Sequence, residues 1–221
     1  HAGIPVLLFD RTIHSDQYTA FVGGDNYEVG RQMAAYITTR LPKGGKVIEI
    51  MGYMKTSPAW QRHRGFVNGL SDVGGIDIVA SVDAGWQGQL AESAADSLLR
   101  LYPDVDAIVS HSDFMADGAK RAADRLFPGN DYIFVGADGF GTPGLGIEVV
   151  EKGEHDATAI YPTGGDAIIQ TALKILKGEK YEKTTFLPSN IVSTPQEAML
   201  LINMDRALTA EVKRVERVHD K

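Results

Sequence analysis

Residues 106–139 read DAIVSHSDFMADGAKRAADRLFPGNDYIFVGADG. The run 106–110 is short, apolar and β-branched, which predicts a strand. Residues 114–127 are Ala-rich with helical spacing, and 132–137 is again a continuous apolar run. Strands without polar alternation are buried on both faces. Two of them joined by a helix make a parallel pair covered on each side.

The same alternation runs outward in both directions. Upstream, strands are predicted at 4–9, 19–22, 46–51 and 76–81. Between them lie helices at 27–41, from Ser57-Pro58 onward with Ser57 as N-cap, and at 90–102. Downstream, strands are predicted at 156–161 and 190–193 and a helix at 166–177. The pattern predicts a doubly wound α/β fold built on a parallel sheet. In such sheets ligands bind beyond the carboxyl ends of the strands.

Those strand ends carry polar side chains: Asp10 and Arg11, Asp25 and Asn26, Arg62, Trp86, Ser112 and Asp113, Asp138, and Tyr161. Carboxylates accept, guanidinium donates through a planar fork, and Asn does both. Vicinal hydroxyls demand that mixture, and a flat indole covers an apolar C–H face. For any one of these residues a cap, a turn or core packing serves equally. Recurrence at successive strand ends supports a small-ligand site.

Composition narrows the classes. The chain of 221 residues is 43% hydrophobic, with net charge −7 and no Cys. Without basic clusters, nucleic acid and anionic membrane surfaces are poor partners. No apolar run approaches the ~20 residues that span a bilayer. The lack of Cys excludes thiolate zinc, thiol nucleophiles and disulfides. The sequence GFGTPG at 139–144 spells a dinucleotide fingerprint, but Pro143 fits poorly at the start of a phosphate-binding helix. No nucleophile elbow, zinc-protease helix or calcium loop is present, so neither metal nor cofactor is expected.

Several stretches resemble one family. GIPVLLFDR (3–11), VGGDNYEVGRQMAAYI (22–37), KVIEIMGYMKTSPAWQRHRGF (46–66), DAIVSHSDFMADGA (106–119) and YIFVGADG (132–139) are similar, in order, to type I periplasmic sugar-binding proteins of the ribose-binding branch. The pieces around 18–31 and 159–166 resemble most the periplasmic sensor domains of hybrid two-component systems. The resemblance implies that Asp10 and Arg11 hold ligand hydroxyls and that Asp25 and Asn26 sit at a first hinge crossing. It implies that Arg62 clamps ring and hydroxyl oxygens, Trp86 stacks on the sugar, and Asp138 takes a pair of hydroxyls. Ser112, Tyr161 and Ala137 stand where the transporter-type members usually carry Asn, Gln and an aromatic.

By the same resemblance, residues 1–23 are the remnant of an N-terminal lobe, and 24–160 form the C-terminal ligand-binding lobe. Residues 161–193 supply a hinge crossing, a helix and a return strand. Residues 194–221 form a signalling-type helix with a partial heptad stripe at Leu201, Leu208 and Val215, filled by Met204, Val212 and Val218. The implied function is a periplasmic, non-enzymatic sensor of a monosaccharide or other small polyhydroxylated ligand. It would be tied to the membrane only through a segment beyond this chain, with kinase activity in other domains. A soluble receptor of an ABC sugar transporter and a carbohydrate-active enzyme stay open as alternatives. Exposed sheet edges of a partial lobe suggest homodimers.

Overall fold

The computed structural model describes residues 3–219, with the side chains of 208 and 210–219 outside that description. The order of elements is β1 (Leu7–Phe9), β2 (Ala20–Gly24), α1 (Asn26–Arg40), β3 (Gly45–Met51), α2 (Ser57–Val73), β4 (Ile76–Asp83), α3 (Gly88–Leu101) and β5 (Ala107–Ser110). It continues with α4 (Asp113–Leu126), β6 (Ile133–Asp138), α5 (Ile147–Glu151), β7 (Ala157–Ile160), α6 (Gly165–Leu176), β8 (Thr184–Leu187), β9 (Ile191–Val192) and α7 (Pro195–His219).

Two sheets result. The larger has the order β4-β3-β5-β6-β7-β9, parallel except for the β7/β9 pair. Side chains alternate across it. Val47, Val109 and Val135 face α1 and α2 through Val29, Met33, Ile37 and Phe66. Ile48, Ile50, Ile108 and Phe134 face α3 and α4 through Ala91, Leu99, Met115 and Ala119. This two-sided burial is what the unbroken apolar runs required. Helices α1 and α2 touch backbone to backbone. A Cβ on Gly65 would lie 2.0 Å from the Tyr27 carbonyl oxygen, and one on Gly30 would lie 2.1 Å from that of Arg62.

The smaller sheet has the order β1-β2-β8, all parallel, with α6 against it. Residues 161–193 therefore serve both sheets, since β8 pairs with β2 whereas β9 returns to β7. Strand β1 is shorter than expected because Pro5 has no N–H for the ladder, and Ile4 projects outward. Two elements went unforeseen. The α5 segment IEVVE is a single turn with a β-like composition, and β8 is a short TTFL run behind a charged loop.

One capping expectation comes out differently. Ser57 is not the N-cap of α2. Thr56 takes that place, putting Ser57 and Pro58 in the first turn. The Ser57 hydroxyl instead joins the two sheets: it accepts from Thr12 N at 2.9 Å and donates to Thr12 O at 3.1 Å. The start of α7 is a capping box. Glu197 N donates to Thr194 Oγ1, and Thr194 N to Glu197 Oε2, both at 3.2 Å. The first turns of α7 pack on α5 through Ala198 and Leu201. The heptad side chains of Leu208, Val212, Val215 and Val218 lie outside the described residues.

Candidate functional site

A cleft of about 410 Å³ opens beyond the carboxyl ends of β1, β5, β6 and β7. Its volume falls in the ~300–1,000 Å³ range of small-molecule sites. Seven of the ten expected residues line it: Asp10, Arg11, Arg62, Trp86, Ser112, Asp138 and Tyr161. Pro58, Phe114, Gly139, Phe140, Gly141 and Thr163 complete the wall.

Arg62 organises the site. It lies on α2, 2% exposed, with Nε donating to Asn26 Oδ1 at 2.9 Å and Nη1 to Asp138 Oδ1 at 2.7 Å. Nη1 also donates to the His111 carbonyl. Its guanidinium lies 5.1 Å from the Tyr161 ring centroid and 5.7 Å from that of Trp86. Aromatic faces on a planar cation fix its orientation. Tyr161 is fixed in turn, its hydroxyl donating to the Asp10 carbonyl at 2.7 Å across the two sheets. Burial, with Asp10 nearby, pushes that phenol up to about 12, so it stays a neutral donor.

The backbone marks the same place. Among the described residues, the non-glycine residues with positive φ are Asp10 at 65°, Trp86 at 65° and Asp138 at 98°. Each such conformation costs about 1–3 kcal/mol and persists where surrounding structure enforces it, often at functional sites. All three line the cleft. Gly52 makes room for the indole, since a Cβ there would lie 2.3 Å from the Trp86 ring.

Three expected site residues are not in the wall, and each has its polar atoms committed elsewhere. Asp25 is the N-cap of α1, accepting from Tyr27 N at 2.9 Å and Glu28 N at 3.2 Å. Asn26 is buried and holds Arg62, so it acts behind the cleft. Asp113 is fully buried, accepting from Thr158 Oγ1 at 2.6 Å and Phe140 N at 3.0 Å. Burial pushes its carboxyl up to about 7 despite those donors.

A charged cluster lies beneath Arg62. Glu49 is fully buried in β3 and accepts from His111 Nε2 at 3.1 Å and Ser81 Oγ at 2.8 Å, with His63 Nδ1 at 2.9 Å. Burial alone would raise its carboxyl, but the hydrogen bonds from His111 and His63 outweigh it and hold the group at about 2. Burial lowers His111, whose Nδ1 accepts from Gly52 N, so that ring is neutral. The hydrogen bond to Glu49 raises His63 above its usual value. The sequence signal was Glu49 between Ile48 and Ile50 in the apolar part of β3; its partners lie 14 and 62 residues away. Among the described residues no cluster has the composition of a metal site.

A family model described as a periplasmic binding protein domain matches residues 1–180. The ribose import binding protein of Escherichia coli strain K12 is 34% identical over 183 residues, covering 82% of this chain and 60% of its own length. The D-ribose/D-allose-binding protein of Pseudomonas aeruginosa is 31% identical over 205 residues, covering 89% of this chain and 62% of its own. A solved structure, the fructose binding periplasmic domain of a hybrid two component system, superposes with a TM-score of 0.93 at 38% identity. That match covers 98% of this chain and 72% of the other. The chain spans about 60% of the length of the curated relatives it matches.

Proposed function

The chain belongs to the periplasmic binding protein domain family, and from that premise we propose that it is the sugar-binding part of an extracytoplasmic sensor. The observation that carries the sugar reading is the Arg62–Asp138 pair beside Trp86 and Asp10 in one cleft. Arg62 commits Nε and Nη1 to protein acceptors, and its remaining Nη2 donates to a ligand oxygen. Asp138 keeps a second carboxylate oxygen for hydroxyl donors. The Ser112 hydroxyl accepts from Met115 N at 3.3 Å and still has its own hydrogen to give. Trp86 covers the C–H face. Donors and acceptors held this way exchange bonds with a polyhydroxylated ligand without reorganising.

Asp10 and Arg11 follow the smaller sheet, and Arg62 and Asp138 belong to the larger. A ligand touching both favours whichever arrangement lets it keep all contacts at once, so binding shifts the lobes toward closure. We divide the chain for this motion into 1–23, 24–160, 161–193 and 194–221. The sensor assignment draws on the similarity to the hybrid-system domain and on α7, which continues from the larger sheet to His219. Closure re-aims that helix toward a membrane segment and a histidine kinase in other parts of a longer protein. The chain itself performs no catalysis in this account, and two copies pair through the smaller sheet. No described helix is long and apolar enough to cross a membrane.

A second reading is a soluble periplasmic receptor feeding an ABC sugar transporter, favoured by the ribose import relatives. The test is to express the natural full-length protein, add monosaccharides and assay kinase autophosphorylation in membranes. A sugar-dependent change supports the sensor. Sugar binding without kinase or membrane association supports the transport receptor instead.

A further inference from the structure

The cleft is chemically two-sided. Asp10, Arg62 and Asp138 supply charge, whereas Phe114 and Phe140 present rings with no donor or acceptor. The two rings meet because their strands are neighbours. Phe114 lies in the first turn of α4 after β5, Phe140 follows the end of β6, and the strands pair with Val109 opposite Val135. Their centroids are 5.1 Å apart, tilted by 55°. Phe114 is 46% exposed and lines the cleft, so its ring is open to a ligand there.

The wall is also held in place. Phe140 sits on the loop after β6, and its N–H donates to the buried carboxylate of Asp113. The other Asp113 oxygen is fixed by Thr158 on β7. Gly136 and Gly146 clear the space, since a Cβ would lie 2.3 Å and 2.8 Å from Asp113 oxygens. Ile147 N closes the loop on the Phe140 carbonyl at 3.1 Å. Asp113 thus touches three elements and fixes the ring without reaching the cleft.

We infer that Phe114 and Phe140, with Asp113 as their positioning residue, make the cleft selective for a monosaccharide bearing an apolar edge, such as the methyl or methylene of a deoxy sugar. This rests on the sugar-receptor reading and adds the class of sugar. A hydroxyl turned toward the two rings loses its water and gains no partner, whereas a methyl group there is buried favourably.

The experiment is titration calorimetry on the natural full-length protein with matched pairs: 6-deoxy-D-glucose and D-glucose, D-fucose and D-galactose, L-rhamnose and L-mannose, 2-deoxy-D-ribose and D-ribose. The tightest-binding pair is expected to favour its deoxy member by about tenfold, the usual scale for one group in an apolar pocket. Phe114→Ala and Phe140→Ala are expected to bring that ratio to about one while binding persists. Asp113→Ala is expected to lower it, and Asp113→Asn, which keeps an oxygen acceptor for Phe140 N–H, to restore it. Phe114→Ala removes a half-exposed ring and so reads the ratio in a folded protein. If sugars bind but the deoxy preference is missing, or both members weaken equally in the Phe variants, the inference is overturned and the receptor reading stands. If no sugar binds, both fall.

Discussion

Replacing Arg62 by Met removes the cation at the centre of the site while filling most of its volume. The change leaves Asp138 Oδ1, Asn26 Oδ1 and the His111 carbonyl without their donor. Removing one partner of a buried pair costs about 3–5 kcal/mol, because the other charge stays behind uncompensated. The Asp138 side chain is 21% exposed, and the water reaching it moves the expectation to the lower end, about 3 kcal/mol. For a chain of this size each kcal/mol shifts Tm by roughly 2–4 °C, so Arg62→Met is expected to melt roughly 6–12 °C lower. Arg62→Lys keeps the charge but not the fork that serves Asn26 and Asp138 together, and is expected to recover only part of the loss. Thermal unfolding followed by circular dichroism reads both. A Met variant melting within about 2 °C of the native protein would refute the organising role given to Arg62.

Four further outcomes follow from the packing and titration. His63 is raised above its usual 6.5, so its contribution is complete below that value and is lost as pH rises through the higher folded value. The native protein should therefore lose more stability than His63→Gln as pH rises above 6.5 in parallel melts. Glu49 works in the opposite direction: held at about 2 from 4.5, it stabilises above 4.5, and that contribution disappears as pH falls toward 2. Acid titration of Glu49→Gln should lack that loss. Gly65→Ala forces a Cβ onto the Tyr27 carbonyl and should destabilise by about 1–3 kcal/mol in urea unfolding. Thr194→Ala breaks the capping box and should cost about 1 kcal/mol by the same assay.

The larger sheet was readable because its strands are apolar on both faces, a pattern that survives any detail of packing. The runs at 46–51, 106–110 and 132–137 correspond to β3, β5 and β6 to within one residue at either end. What stayed hidden is local or long-range. The five residues of α5 are too few to show a period, and β8 is defined by a partner 163 residues earlier in the chain, Phe21 opposite Thr184. At the cleft, sequence position indicates which polar residues follow strands but not which atoms they meet. Asp25 and Asp138 look alike in that respect, yet one caps a helix and the other faces the cleft. Phe114 and Phe140 read as ordinary apolar residues until the pairing of β5 with β6 sets their rings side by side. The positive φ of Asp10, Trp86 and Asp138 has no sequence signal, although it marks the site most sharply.

Calorimetric titration of the natural full-length protein against a panel of monosaccharides, beside Asp138→Ala, decides whether the cleft holds a sugar. Asp138 is the carboxylate that ties Arg62 to the ligand cleft. Saturable one-site binding of at least one sugar, lost in the Asp138 variant, is the predicted result. Binding of no sugar, or the same affinity in the variant, would contradict it.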